Sequence, residues 1–397
     1  MDRMLLAESL KNLVIFKNLR SEELISALAE LLSCKDKSEG FSAACALARA
    51  LYPHGDDLTS AVLELACLDE NDYIKALAAG NEISPSISQW AIRELYALSE
   101  AAAFSSQTAA LELEISSPIP AWSAEERDFA EAYHSRVRDA GSRGYGIFAK
   151  NTVFTVSEQG VLTPVKNPDP QRLSELYGYE RERESVLKNT EALLSGLPAN
   201  NVLLYGDAGT GKSSTVKAIA NEYAPRGLRL IQVEKSLLHH IPALLDTLAD
   251  SPLKFIVYID DLSFTSADRD FTALKTILEG SVAARAQNTA VYATSNRRHL
   301  VRETSEERQG SEIHLGDTLQ ESASLSARFG VVVTYVRPER EEYLSLVKSI
   351  AQQWRLSVPE QELCIEAESY AIRAGGRSPR VAKQYVEYKM ATVQDKI

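Results

Sequence analysis

The spacing of apolar residues changes along the chain, and the first stretch, residues 1–140, has helical spacing. Its apolar side chains recur three or four positions apart, so they would line one face of a helix. Examples are Leu5, Leu6, Leu10, Leu13, Val14 and Phe16, followed by Leu24, Ile25, Leu28, Leu31 and Leu32. The capping-box sequence Ser123-Ala124-Glu125-Glu126 predicts a further helix start. We therefore predict a mostly α-helical N-terminal domain over residues 1–140.

Residues 141–170 have a shorter pattern that is typical of strands. The predicted strands are Tyr145–Ala149, Thr152–Val156 and Val161–Val165. The sequence Asn167-Pro168-Asp169-Pro170 then breaks regular structure. We interpret residues 141–170 as short strands and a linker.

From residue 171, helical stretches alternate with near-continuous apolar runs. These runs predict the strands Val202–Tyr205, Leu228–Val233, Phe255–Ile259, Thr289–Ala293 and Val331–Tyr335. The alternation is typical of an α/β fold, a parallel sheet with helices on both faces. After the last strand, Pro338 precedes helical patterns only. We predict an α/β core over residues 171–337 and a C-terminal helical lid over residues 338–397.

Composition and charge agree with a globular protein of two domains. The chain has 397 residues, of which 45% are hydrophobic and 25% are charged, and a formal net charge of −12. Residues 1–165 hold 24 acidic and 14 basic side chains, a net charge of −10. Because nucleic-acid phosphates bind basic surfaces, this half is not expected to hold nucleic acid non-specifically. A local basic patch in the C-terminal half stays possible.

Three further observations bear on the cellular setting. There is no apolar run of membrane-spanning length, and the first residues lack the basic-then-apolar pattern of a secretory signal. The four cysteines form no C-x-x-C pair. We expect a cytoplasmic protein with reduced thiols and no membrane partner.

Residues 206–213 match the phosphate-binding pattern G-x-x-x-x-G-K-[ST] between a predicted strand and a predicted helix. Glycine allows the loop backbone to turn its N–H groups toward phosphate oxygens, and the helix N-terminus adds partial positive charge. Lys212 would reach the β- and γ-phosphates, and the Ser213 hydroxyl would be a ligand of Mg²⁺. The alternative is an ordinary glycine-rich turn. The predicted nucleotide contacts are Gly206, Asp207, Ala208, Gly209, Thr210, Gly211, Lys212, Ser213 and Ser214.

Polar residues follow the two next buried strands of the predicted core. Asp260 and Asp261 follow Phe255–Ile259, at the sheet edge where open α/β folds bind ligands. We predict that Asp260 holds Mg²⁺ and that Asp261 orients or deprotonates the attacking water. Asn296, after the strand at Thr289–Ala293, would contact the γ-phosphate or that water. The alternatives are two solvated aspartates and a turn-forming Asn.

The order of phosphate loop, acidic strand end, strand ending in Asn and helical lid resembles that of AAA+ ATPases. The resemblance implies ATP and Mg²⁺ as cofactors and a P-loop fold. Many family members have Asp-Glu where this chain has Asp260-Asp261, and the second aspartate resembles that of the bacterial replication initiator. The shorter reach of Asp261 leaves open whether turnover is fast.

Three other segments resemble family motifs, and their roles are implied by that resemblance. Ser324–Gly330 resembles the arginine-finger segment, so Arg328 would face the nucleotide of a neighbouring subunit. The segment from Gly375 to Ala382 resembles the lid's sensor-2 segment, with Arg380, or else Arg377, reaching the γ-phosphate. Tyr177 and Tyr179 lie in a segment that resembles the one packing against adenine. Each of these residues also has an ordinary alternative, namely ion pairing, helix capping or core packing.

Taken together, the motifs over residues 145–395 resemble a group of predicted bacterial ATPases known as a domain of unknown function. We expect an ATPase that binds ATP-Mg²⁺ at a subunit interface in a ring or spiral, with a hexamer as the expected size. Its N-terminal domain would bind an unknown protein client. One alternative is a slow ATP-dependent switch or assembly scaffold. The other is a nucleic-acid loader, suggested by the initiator-like Asp260-Asp261 and by Arg297-Arg298-His299.

Overall fold

The computed structural model describes residues 2–265, 274–275, 277–278, 287–296, 301–302 and 328–394. The chain forms two compact units. One comprises Met1–Lys150 with Asp250–Pro252, and the other comprises Asn151–Ala249 with Leu253–Ile397. None of the helices in the described ranges is both long and apolar enough to cross a membrane.

The N-terminal unit is helical, as its apolar spacing predicts. Leucine and alanine side chains from successive helices form one continuous buried core. Its helices are α1 (Arg3–Lys11), α2 (Glu23–Ser33), α3 (Lys37–Leu51), α4 (Leu58–Leu68), α5 (Asp72–Ala78), α6 (Pro85–Ala102), α7 (Ser106–Glu112), α8 (Phe129–Arg138), α9 (Ala140–Arg143) and α10 (Ile147–Lys150).

Two local predictions in this unit are wrong. The predicted helix start at Ser123 is wrong because Ser123 forms a β-bridge with Asp57, and α8 begins only after Asp128, whose carboxylate accepts from the Glu131 amide at 3.0 Å. The strand predicted at Tyr145–Ala149 is also wrong. Gly146 adopts a left-handed φ of 57°, which interrupts extended backbone, and the short helix α10 follows.

The buried carboxylate of Glu94 on α6 connects distant parts of the N-terminal unit. Glu94 is 6% exposed and accepts backbone hydrogen bonds from Val14 at 2.6 Å and from Ile15 and Phe16 at 3.0 Å each. These amides lie after α1 in a non-helical segment, so they do not donate to helical carbonyl groups. Glu94 therefore stabilises the turn after α1, about 80 residues away in sequence.

The second unit contains a seven-stranded sheet in the order β2-β1-β4-β5-β7-β3-β9. All neighbouring strands in it are parallel except β1 and β2. Because β1 pairs with β4, the two strands after residue 150 extend this sheet. Its strands are β1 (Val153–Val156), β2 (Leu162–Pro164), β3 (Val202–Gly206), β4 (Leu228–Gln232), β5 (Lys254–Ile259), β7 (Thr289–Ser295) and β9 (Val331–Tyr335), and β6 (Phe264–Thr265) pairs with β8 (Val301–Arg302) apart from it.

Helices alternate with these strands and continue into a helical lid. The core helices are α11 (Glu180–Leu194), α12 (Lys212–Tyr223) and α13 (Ile241–Leu248). The lid helices are α14 (Arg340–Gln353), α15 (Glu360–Arg373) and α16 (Pro379–Gln394), and they share a core that includes Tyr343, Val347 and Tyr385. The predicted α/β class with a C-terminal helical lid and a helical N-terminal domain is confirmed.

Candidate functional site

The phosphate-loop sequence lies between β3 and α12 and fits closely against the end of β9. A Cβ atom on Gly206 would lie 1.9 Å from the Tyr335 carbonyl oxygen, so only glycine fits there. The next amide, that of Asp207, donates to the same oxygen at 2.9 Å. Gly209 and Gly211 have φ values of 80° and 97°. The loop thus has the backbone form that its glycines predict.

Lys212 is buried at the base of this loop, with 6% of its surface exposed. Its Nζ donates to the carbonyl oxygens of Gly206 at 2.9 Å and Asp207 at 2.7 Å, and to Asn296 Oδ1 at 2.9 Å. Burial lowers the pKa of Lys212, while the nearby Asp207 and Asp261 act in the opposite direction. An anion in the loop would stabilise the charged form of Lys212, because a nearby opposite charge favours the protonated amine.

Asp260 is held by hydrogen bonds from three neighbours. The Ser213 hydroxyl donates to Asp260 Oδ1 at 2.7 Å, the Thr294 hydroxyl donates to the same oxygen, and the Asp261 amide donates to it at 3.1 Å. Burial raises the pKa of Asp260, but the hydrogen bonds outweigh burial and leave the pKa below its ordinary value. The carboxylate is therefore ionised at neutral pH.

Ser213 and Asp260 suit Mg²⁺, which takes oxygen ligands and usually binds through few protein groups together with substrate phosphates. Their oxygens are adjacent and lie next to the phosphate loop. Over the described ranges there is no cluster of three or more His, Cys, Asp or Glu that could hold a metal by itself. The donors present therefore fit a nucleotide-bound Mg²⁺ rather than a metal site made of protein ligands alone.

Asn296 connects Lys212 to Asp261. Its Oδ1 accepts from Lys212, and its Nδ2 donates to Asp261 Oδ1 at 2.8 Å. The Asp261 backbone has a φ of 50°, in the left-handed region that Asp tolerates better than most residues, and its amide also donates to Thr294 Oγ1 at 3.0 Å. Asp261 is thus fixed at the exposed end of the polar cluster.

A cavity of about 420 Å³ lies beside these groups and is lined in part by the lid. Its volume is in the usual range for a small-molecule site. The sheet side contributes Ala208 to Thr215, Asp260, Asp261, Thr294 and Asn296, and the lid contributes Ile350, Pro379, Arg380 and Lys383. Among the predicted phosphate-loop contacts, Gly206 and Asp207 are not in this lining.

The two candidate sensor arginines of the lid are placed differently. Arg380 lines the cavity, and its amide donates to the Gly209 carbonyl at 3.3 Å. The Arg377 guanidinium pairs with Glu368 on α15, donating through Nε at 2.8 Å and also through Nη2. The structure brings Arg380 to the phosphate loop and leaves Arg377 within the lid.

The two tyrosines predicted near adenine are also separated. Tyr177 lines the cavity and packs against the lid core. Tyr179 lies outside the described lining. It stacks on Tyr335 with ring centroids 5.0 Å apart, and its hydroxyl donates to the Val336 carbonyl at 2.6 Å. The backbone at Tyr179 has a left-handed φ of 58°.

Arg328 lies three residues before the start of β9, and the described lining of the cavity does not include it. Its predicted partner is a neighbouring subunit, so its role stays a prediction. Residues 324–327 of its motif, together with Arg297, Arg298 and His299, lie outside the described residues.

Two polar residues of the site that the sequence interpretation missed are Thr294 and Arg183. Thr294 hydrogen-bonds to both aspartates, and strand alternation could have identified it, because Thr294 on β7 lies two positions before Asn296, the residue that follows the strand. Arg183 on α11 lines the cavity and donates to the carbonyls of Leu176, at 3.2 Å, and of Gly178. No sequence pattern indicated Arg183.

The parallel sheet, the loop between β3 and α12, the paired aspartates after β5 and the lid define a P-loop protein of AAA+ type. Residues 149–393 match the family described as "Protein of unknown function (DUF815)", and the chain therefore belongs to that family. The predicted resemblance is confirmed.

Solved structures of Thermotoga maritima RuvB are similar to part of the chain. The RuvB Holliday junction branch migration motor is 18% identical, with a TM-score of 0.37, and two structures of its point mutants are 18% and 17% identical, each with a TM-score of 0.38. Each match covers 57% of this chain and 67% of the RuvB chain. No curated protein sequence matches the chain.

Proposed function

We propose that this protein binds ATP with Mg²⁺ in the 420 Å³ cavity and hydrolyses the terminal phosphate. The observation that carries the proposal is the convergence of Lys212, Ser213–Asp260 and Asn296–Asp261 at one end of the cavity. These are the groups that phosphoryl transfer needs, namely a cation for the phosphates, oxygen ligands for the metal, and a carboxylate for the attacking water.

Each residue has a distinct part in this proposal. The phosphate-loop amides and Lys212 bind the phosphates, and Ser213 and Asp260 hold Mg²⁺, which supplies positive charge to the phosphate oxygens when bound. Asn296 orients Asp261, and Asp261 accepts the proton of the attacking water. Arg380 adds positive charge from the lid side of the cavity.

Calorimetric titration with ATP, with and without Mg²⁺, tests the binding step. We expect the wild-type protein to bind ATP-Mg²⁺ and Ser213→Ala to bind ATP with a reduced dependence on Mg²⁺. The matched control is Ser236→Ala, because Ser236 is an exposed serine away from the cavity. Equal Mg²⁺ dependence in wild type and Ser213→Ala would contradict the assignment of this metal site.

We further propose that Arg328 completes the site of a neighbouring subunit in a ring or spiral. The support is its position before β9 and outside the lining of its own cavity, together with the motif resemblance. A residue in this role is worth about 10³–10⁵ in rate. Arg328→Ala should keep ATP binding and lose hydrolysis, and mixing it with Lys212→Ala should restore part of the activity. Full activity of Arg328→Ala alone would exclude this role.

A slow ATP-dependent switch is the second candidate, and the geometry of Asp261 favours it. The Asp261 side chain is shorter than the glutamate of many family members, and it accepts a hydrogen bond from Asn296. The Asp261 backbone is in the left-handed region. If the protein is a switch, turnover at saturating ATP is slow, and the assembly differs in size between ATP and ADP. Light scattering measures that size. Identical sizes in both nucleotides would exclude the switch.

A further inference from the structure

The short connection between sheet and lid is held by two side chains from the loops around the cavity. Strand β9 ends at Tyr335 and α14 begins at Arg340, so the hinge, defined here as Val336–Glu339, carries the chain from one to the other. The Val336 carbonyl accepts from the Tyr179 hydroxyl at 2.6 Å. The amide of the next residue, Arg337, donates to Asp207 Oδ2 at 2.9 Å.

Asp207 connects the hinge directly to the phosphate-binding lysine. Its amide donates to Tyr335 at the end of β9, and its carbonyl accepts from Lys212 Nζ at 2.7 Å. Its carboxylate holds the Arg337 amide, in a charge-assisted hydrogen bond of the stronger kind. A change at Lys212 on phosphate binding therefore reaches the hinge through a single residue.

Tyr179 is fixed in a way that suits the same role. A left-handed φ of 58° is unfavourable for an aromatic residue and is maintained here by packing on Tyr335. The adjoining loop, Leu176–Gly178, is held by Arg183 and contains the cavity residue Tyr177. Tyr177, which a ligand in the cavity would contact, is therefore only two residues before Tyr179, whose hydroxyl holds Val336.

The Arg337 side chain extends this arrangement into the lid. Its Nη1 donates to the Gly375 carbonyl at 3.2 Å, and a Cβ on Gly376 would lie 2.7 Å from the same nitrogen. These glycines precede Ser378, the N-cap residue of α16, and Arg380 at the cavity wall. The hinge therefore contacts both the phosphate loop and the lid segment that faces it.

We propose that Asp207 and Tyr179 are positioning residues that set the orientation of the lid according to whether the phosphate loop is occupied. The inference rests on the proposed binding of ATP in the cavity. It assigns to both residues a role other than contact with nucleotide, in agreement with their positions outside the described lining. If they only stabilised the fold, their loss would not change the response of the hinge to nucleotide.

Hydrogen exchange of the hinge peptide in the full-length protein, with and without ATP-Mg²⁺, tests the proposal. The variants are Tyr179→Phe, which removes one hydroxyl and keeps the ring, Asp207→Ala, and Asp207→Asn, which keeps an acceptor oxygen. The controls are Tyr388→Phe and Asp246→Asn, whose side chains are exposed on α16 and α13. Thermal melting confirms that each variant is folded, and Tyr179→Phe, the mildest change, carries the test if Asp207→Ala does not fold.

In the wild-type protein we expect ATP-Mg²⁺ to change hinge exchange. In Tyr179→Phe and Asp207→Ala we expect exchange without nucleotide to be about fivefold faster, as for the loss of one hydrogen bond, and the response to ATP to be lost. The dissociation constant for ATP should stay within about threefold while kcat falls at least about tenfold, because the lid groups are misplaced. Asp207→Asn should lie between wild type and Asp207→Ala.

Two outcomes overturn the inference, and they are distinguishable from failure of the proposed function. Variants with wild-type hinge response and kcat overturn it. Variants that bind ATP more weakly, but whose hinge exchange at saturating ATP changes as in the wild type, also overturn it. If the wild-type protein binds no ATP, the proposed function is overturned, and the response of the hinge to nucleotide is overturned with it.

Discussion

At the scale of single residues, Thr294 shows how one hydroxyl can contact two adjacent aspartates. It donates to Asp260 and accepts from the Asp261 amide, so it joins the residue proposed to hold Mg²⁺ to the residue proposed to activate water. Replacing it by Val keeps the β-branched shape and removes both hydrogen bonds.

We predict that Thr294→Val lowers kcat for ATP hydrolysis by about tenfold to a hundredfold, since a hydrogen bond to a charged group is worth about 1.5–3 kcal/mol. The Mg²⁺ concentration for half-maximal activity should rise, because Asp260 loses a partner that lowers its pKa and orients it. Steady-state ATPase assays over a range of Mg²⁺ concentrations measure both effects. Thr247→Val, on the exposed side of α13, is the control, and an unchanged Mg²⁺ requirement in Thr294→Val would contradict the role of Thr294.

Lys212 gives a prediction for pH. Burial lowers its pKa below the ordinary value of 10.5. In the proposed site, the phosphates of ATP bind the protonated form. Affinity for ATP should therefore decline as pH rises through the lowered pKa, beginning at a lower pH than for an ordinary lysine. In Lys212→Arg the guanidinium stays charged, so the profile should be flat over about pH 7–10 even if overall binding is weaker. A decline of the same size in both proteins would assign the pH effect to another group.

The residues of the phosphate loop and the paired aspartates could be predicted because their chemistry requires fixed spacing along the chain. The position of Tyr179 could not, because it depends on a left-handed backbone that sequence does not indicate for Tyr. The choice between Arg377 and Arg380 likewise depended on Glu368, which lies on a different helix.

At the scale of elements, the buried strands were predicted well, since strands covered on both faces have continuous apolar sequence. Strand β9 matches its predicted bounds, and β7 extends two residues further, to Ser295, because Thr294 and Ser295 pair with β3. The false strand at Tyr145–Ala149 shows the limit of the pattern. A short apolar run cannot distinguish strand from helix when a glycine such as Gly146 adopts a positive φ.

Glu94 allows a test of how α6 and the turn after α1 are joined. Because its carboxylate accepts three backbone amides, Glu94→Gln should destabilise the N-terminal unit by about 1–3 kcal/mol, as one acceptor becomes an NH₂ group facing a donor. Chemical denaturation followed by circular dichroism measures the change, with Glu82→Gln, at an exposed position, as the control. Equal stability of the Glu94 and Glu82 variants would show that these amides have other partners.

At the scale of the whole molecule, the chain combines a helical unit with an α/β unit that contains all of the candidate site. Sequence predicted both fold types from the change in apolar spacing. It did not predict that β1 and β2 join the main sheet, because pairing between β1 and β4 spans more than seventy residues and leaves no local signal. The sequence also did not indicate that Tyr179 and Asp207, both predicted to contact nucleotide, form hydrogen bonds with the hinge.

The central claim is that the phosphate loop makes this protein an ATPase. Phosphate release from ATP-Mg²⁺ by the full-length protein tests it most directly, comparing wild type with Lys212→Ala and with Lys217→Ala, a lysine on the same helix that pairs with Asp169. We predict measurable turnover in wild type, near-normal turnover in Lys217→Ala, and a loss of at least about a hundredfold in Lys212→Ala. Absence of turnover in the wild type, or equal turnover in wild type and Lys212→Ala, would contradict the claim.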